Sequence, residues 1–179
     1  MNGDLYLADA LKRFREARTQ CDRALAQVPV ERWTHRLDPE SNSLATLMLH
    51  LSGNMLSRWT DFLTTDGEKP DRHRDTEFED PETFDPEALR DRWERGWACL
   101  FDTLGSLTAA DLDRVVTIRK ETHTVLEAIN RQLAHYPYHT GQIVFLAKHL
   151  APDSWKSLSV ARGGSVAYNA AKMKDRPQA

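Results

Sequence analysis

Two histidines four residues apart, His135 and His139, stand in a segment whose apolar residues recur with helical period. At 3.6 residues per turn that spacing separates two side chains by about 40° around the axis and about 6 Å along it, so both imidazoles can meet one ion. The pair alone is a weak signal, because any helix with two histidines reaches this spacing often. His50 supplies a possible third ligand. It falls at the edge of an otherwise apolar helical face, one position from Leu51 and three from Leu47, where a histidine needs a backbone carbonyl, a carboxylate or a metal as partner. Three neutral imidazoles leave coordination positions for water or substrate, the pattern of a catalytic site more than of a closed structural one. A divalent ion held there would lower the pKa of a bound water or thiol and make a nucleophile at neutral pH. Zinc and nickel both suit such ligands. No general base or other catalytic residue is identifiable, and His35, His73, His123 and His149 are expected to be solvated in loops or at a helix end.

These histidines need helices to carry them. From about Asp4 to Val28, Leu7, Leu11, Phe14, Cys21, Leu25 and Val28 recur at steps of three, four and seven, an amphipathic helix ended by Pro29. A polar linker from Asp38 to Asn42 delivers Ser43 as N-cap of a second helix reaching about Leu63, with Leu44, Leu47, Met48, Leu51, Met55, Trp59 and Phe62 on its core face. Thr64 to Phe84 reads as a long ordered loop. Asp85-Pro86-Glu87 then starts a third helix running to about Leu104, whose stripe of Leu89, Trp93, Trp97, Leu100 and Leu104 is core. Thr108 to Asp111 suggests a short capped turn, and Val115 to Ile118 is β-branched and extended. Thr124 and Glu127 form a capping-box pattern for a fourth helix reaching about His149. Pro137 lies inside it and predicts a kink, since proline cannot donate to the Leu133 carbonyl. Four long amphipathic helices imply an all-α bundle over residues 1–171, on which Trp155, Leu158 and Val160 dock, with a polar tail at 172–179 that frays.

Composition excludes several classes. The chain has 179 residues, 40% of them hydrophobic and 28% charged, which fits one domain with a proper core. Net charge is −3 and no stretch concentrates basic residues, so the footprint of a nucleic-acid binder is missing. There is neither a signal-peptide pattern nor a run of eighteen apolar residues, which excludes a membrane partner and leaves a cytoplasmic location as the expectation. Cys21 and Cys99, far apart and among apolar neighbours, read as small buried hydrophobes.

Several motifs, in order, resemble an uncharacterised branch of the DinB/YfiT-like superfamily. They are His50-Leu51-Ser52-Gly53-Asn54 with Arg58-Trp59, Asp66 to Pro70, the run Arg72 to Phe78, and Asn130 to Tyr136 followed by His139-Thr140-Gly141-Gln142. In motif form they are HLxGN, RxRDxEF and HxxxHxGQ, and the resemblance covers about residues 5 to 170. It implies a DinB-like four-helix bundle of up-up-down-down-like topology, commonly a homodimer, with one divalent metal on His50, His135 and His139. Relatives of that superfamily include thiol transferases and metal-dependent hydrolases. The chain departs from the branch at His73, where asparagine is typical, and at Pro137.

Asn54, Arg58, Arg131 and Gln142 lie one or two turns from the three histidines and are candidates for the groups around the ion. Arg72 to Phe78 is either a lid or a salt-bridged loop that fixes the long connection, and the second reading is preferred. The expected function is metal-dependent transfer to, or hydrolysis of, a small electrophilic substrate by an activated thiol or water. The alternatives are a non-catalytic bundle that binds a metal or a small molecule, and a helical interaction module without metal.

Overall fold

The computed structural model describes residues 2–79 and 83–174. Four long helices carry the fold: α1 (Gly3–Leu25), α2 (Leu44–Trp59), α3 (Pro86–Ser106) and α4 (Val125–Leu150). A short hairpin of β1 (Val115–Ile118) and β2 (Glu121–Thr124) precedes α4, and a further helix, α5 (Ser165–Lys174), closes the described chain. The expected all-α bundle is what forms.

Local chemistry sets the helix starts. Asn2 accepts from the amides of Asp4 and Leu5, Ser43 from that of Thr46, and Asp85 from those of Glu87 and Ala88 with Pro86 in the first turn. Thr124 and Glu127 close a reciprocal capping box on α4. Two helix ends come earlier than the apolar pattern suggests. α1 stops at Leu25 and its apolar pattern continues through single turns to Val28. α2 stops at Trp59, because Thr60 is extended and Asp61 is left-handed with φ 49°, while Thr103 donates to the freed Trp59 carbonyl at 2.9 Å. The extended segment expected at Val115 to Ile118 pairs antiparallel with Glu121 to Thr124.

Side-chain contacts give the helix directions. Tyr6 at the start of α1 hydrogen-bonds Asn130 near the start of α4, so these two run parallel. Trp93 reaches Asp22 while Arg15 lies over Phe101, so α3 opposes α1. Gly96 lies against Ser52 and Thr103 against Trp59, so α2 runs with α3. The order is therefore up-down-down-up, not the up-up-down-down arrangement that the resemblance implied. The reason is the connection at residues 60–85: a parallel α2–α3 pair needs a link that returns along the bundle, and a loop of this length can do it.

The core is aromatic at its centre. Phe14, Trp59, Trp97 and Tyr136 are each at most 1% exposed, and Phe14 and Trp97 lie 5.6 and 6.0 Å from the Tyr136 ring. The whole α3 stripe is buried, as expected. α4 continues through Pro137 without interruption, and the proline is exposed, so the missing hydrogen bond falls on the solvent side. The late segment docks through half-buried Trp155 and Leu158, but Val160 is exposed. α5 was not legible in the sequence; it is exposed over residues 165–173 and overlaps the beginning of the tail expected at 172–179, of which 175–179 lie outside the described residues. Among the described residues no helix is long and apolar enough to cross a membrane.

Candidate metal centre

α2 and α4 run antiparallel and bring His50 against His135 and His139. One ligand atom from each ring can be chosen so that all three lie within 4.8 Å of one another. His50 Nε2 is 3.3 Å from His135 Nε2. Two nitrogens bound to one zinc at ordinary bond lengths lie about 2.9–3.4 Å apart for tetrahedral or octahedral angles, so this pair has a ligand-like separation.

The outer nitrogens fix two of the tautomers. His50 Nδ1 is 3.1 Å from the Glu77 carboxylate, which when ionised can only accept, so Nδ1 carries the proton and Nε2 turns its lone pair to the cluster. His139 Nδ1 is 2.8 Å from Gln142 Oε1, and with the amide oxygen in that position the same tautomer follows. His135 Nδ1 is buried with no hydrogen-bond partner among the described residues, and its ring packs against Tyr136. Burial, then the charges of His139, His50, Arg58 and Arg72, push the His135 pKa down to about 3, and burial likewise lowers that of His139. Ring nitrogens whose lone pairs converge repel one another unless a cation or a shared proton lies between them. The donor set therefore fits a divalent ion.

Glu77 is the residue that the reading of isolated motifs missed. Arg72 grips it through two bonds, Nε to Oε1 at 2.8 Å and Nη2 to Oε2 at 2.7 Å, with both side chains at most 5% exposed. Burial works to raise the Glu77 pKa, but Arg72 and His50 outweigh it and hold the carboxyl below its usual range. The Arg72 to Phe78 run is thus the salt-bridged loop preferred above, and it also brings an acid to the inner histidine. A signal existed, since His50 required a partner and an acid stood in that run. Gly53 makes the approach possible: a Cβ there would lie 2.0 Å from Glu77 Oε1.

All four residues expected around the ion line one cavity of about 620 Å³ together with the three histidines. Asn54 is buried and its Oδ1 accepts from Tyr136 Oη at 3.0 Å, while Tyr136 Oη accepts from Trp59 Nε1 at 3.0 Å. Gln142 pins His139. Arg58 is buried beside Glu68, and Arg131 is exposed at the rim. His35, His73 and His149 are solvated as expected, whereas His123 is half-buried on β2. Cys21 is fully buried and both cysteines are free; desolvation, partly offset by a hydrogen bond with Thr140, pushes the Cys21 thiol up to about 12, so it is inert.

Fold and site together define a helical-bundle protein with a three-histidine pocket open to a cavity. Over residues 2–164 the chain matches the family described as protein of unknown function DUF1572, and it belongs to that family. No curated protein and no solved structure matches it.

Proposed function

We propose that this protein is a metal-dependent enzyme of the DinB type, in which His50, His135 and His139 hold one divalent ion, zinc or nickel. The observation that carries the reading is the convergence of three imidazoles, two with their outer nitrogens hydrogen-bonded so that Nε2 faces inward, at the wall of an open cavity. When bound, the ion would acidify a thiol or water at its free position for attack on a small electrophilic substrate. His50 and His139 present their lone pairs in fixed orientations, held by Glu77 and Gln142. Asn54 faces the same cavity with its oxygen already engaged by Tyr136, which leaves its amide N–H groups to orient a bound molecule. A small-molecule substrate or thiol, a homodimeric state and a cytoplasmic location belong to the same proposal.

Elemental analysis of protein purified without a histidine tag tests it. The expected result is close to one equivalent of a divalent metal, lost in His135→Ala while the helical circular dichroism is kept. Equal and near-zero metal in both proteins overturns it. A metal that is present but exchanges no bound water supports instead the non-catalytic metal-binding bundle.

A further inference from the structure

The cavity in front of the histidines has a second set of residues that metal binding does not use. Arg58, Arg72, Arg74, Arg119 and Arg131 line it, and no carboxylate among the described residues does. Two buried or half-buried acids beneath it answer some of this charge. Glu77 is taken by Arg72 and His50. Glu68 is shared by Arg119 at 3.2 Å, Arg72 at 3.4 Å and Arg58 at 3.7 Å. Asp75, 97% exposed, lies 3.8 Å from Arg74. Five guanidinium groups thus face three carboxylates, one of them in open solvent, and the side chain of Arg131 has no ion pair or hydrogen bond among the described residues. Water and dissolved ions screen exposed charges, but Arg58 is only 2% exposed, and its Nε and Nη1 are buried with no hydrogen-bond partner among the described residues. A buried guanidinium with unmet donors beside other arginines is unfavourable unless something negative comes to the cavity.

The folding topology puts three of these charges, Arg58, Arg119 and Arg131, at one end, while Arg72 and Arg74 stand beside the histidines, Arg72 through Glu77 and Arg74 over Phe78. Arg58 follows His50 by two turns of α2, about 12 Å along the axis, and Arg131 precedes His135 by one turn of α4. Because the helices are antiparallel, both displacements point the same way. Arg119 is delivered to that end by the β1–β2 hairpin, whose turn residues Arg119 and Lys120 are left-handed with φ of 55° and 65°. Residues other than glycine rarely adopt that conformation, and here the Asp66 carboxylate holds it by accepting from both turn amides at 2.8 Å. The cavity therefore has a histidine end and an arginine end.

We propose that the molecule bound across this cavity is a small organic anion, with a carboxylate or phosphate group held by Arg58, Arg119 and Arg131 and its reacting group at the histidines. Guanidinium groups match the geometry of either oxyanion, and a positively charged, walled cleft concentrates anions from solution. The position of the reacting group rests on the metal reading above; the arginine end stands without it.

Isothermal titration of the full chain, in metal-free and zinc-loaded forms, with succinate, inorganic phosphate and uncharged succinamide tests this. Succinate or phosphate is expected to bind both forms, with affinity that falls as salt is raised and drops about tenfold or more in Arg131→Gln, whereas succinamide does not bind. Succinate alone would indicate a carboxylate ligand and phosphate alone a phosphorylated one, and either supports the proposal. Arg58→Gln should act in the same direction, and if it fails to fold, the exposed Arg131 decides. Unchanged affinity in Arg131→Gln, equal binding of succinamide, no anion binding in either form, or binding that needs zinc and disappears in His135→Ala overturns it. Anion binding through Arg131 in a protein that takes up no zinc when zinc is offered keeps this inference and removes the metal reading, so the two fail separately.

Discussion

The contact between Glu77 and His50 depends on an atom that is absent. Alanine in place of Gly53 would ordinarily help a helix by about 1 kcal/mol. Here its Cβ would displace the carboxylate that sets the His50 tautomer, so Gly53→Ala is expected to lower metal affinity by about 10–100-fold and to destabilise the protein instead of stabilising it. Competition with a chromophoric chelator and thermal denaturation read the two effects. Glu77→Gln keeps the shape but strips the charge from a buried pair with Arg72. It is expected to destabilise the fold by about 3 kcal/mol and to weaken metal binding as well, whereas a carboxylate that served only Arg72 would leave the affinity of the folded variant untouched.

At the scale of elements, the arginine end of the site depends on a short hairpin whose turn is held by one carboxylate. The β1–β2 turn is held by Asp66, whose pKa is brought down to about 2: burial opposes this, and backbone hydrogen bonds from Glu68, Lys120 and Arg119 overcome it. Asp66→Ala should therefore loosen the hairpin, seen as faster amide exchange at Arg119 and Lys120, with a loss of about 1–2 kcal/mol in urea denaturation. Thr124→Ala should cost about 1 kcal/mol through the lost cap of α4 while leaving that turn intact. Equal amide exchange at the turn in the two variants would mean that Asp66 does not hold it.

For the whole molecule, acid is the informative variable. His135 has a pKa of about 3 in the folded chain against an ordinary 6.5, so between those values the unfolded chain binds more protons. Stability of the metal-free protein is expected to be highest above about pH 6.5, to fall as pH drops through that window, and to level off with respect to this group below about pH 3. His135→Ala should flatten that part of the profile in urea melts taken across pH. A saturating divalent ion raises stability by mass action, about 2.7 kcal/mol at a hundredfold excess over Kd, and that increment should fade in acid as protons compete for the ligands.

Much of this was legible in residue order. Apolar spacing located four helices, the caps at Ser43, Asp85 and Thr124 located their starts, and the i,i+4 pair with a lone histidine on another apolar face named the cluster, because each of these signals is local and repeats with the helical period. Other features join residues far apart in the chain whose order carries no period. Only packing showed that Glu77 meets His50 across Gly53, that α2 runs parallel to α3, that Arg119 is turned into a cavity by Asp66, and that α5 forms on the outside. A helix announces its own face through its pattern, but which faces meet, and which charges are left facing one another, is settled only when the connections have been threaded and the core has closed.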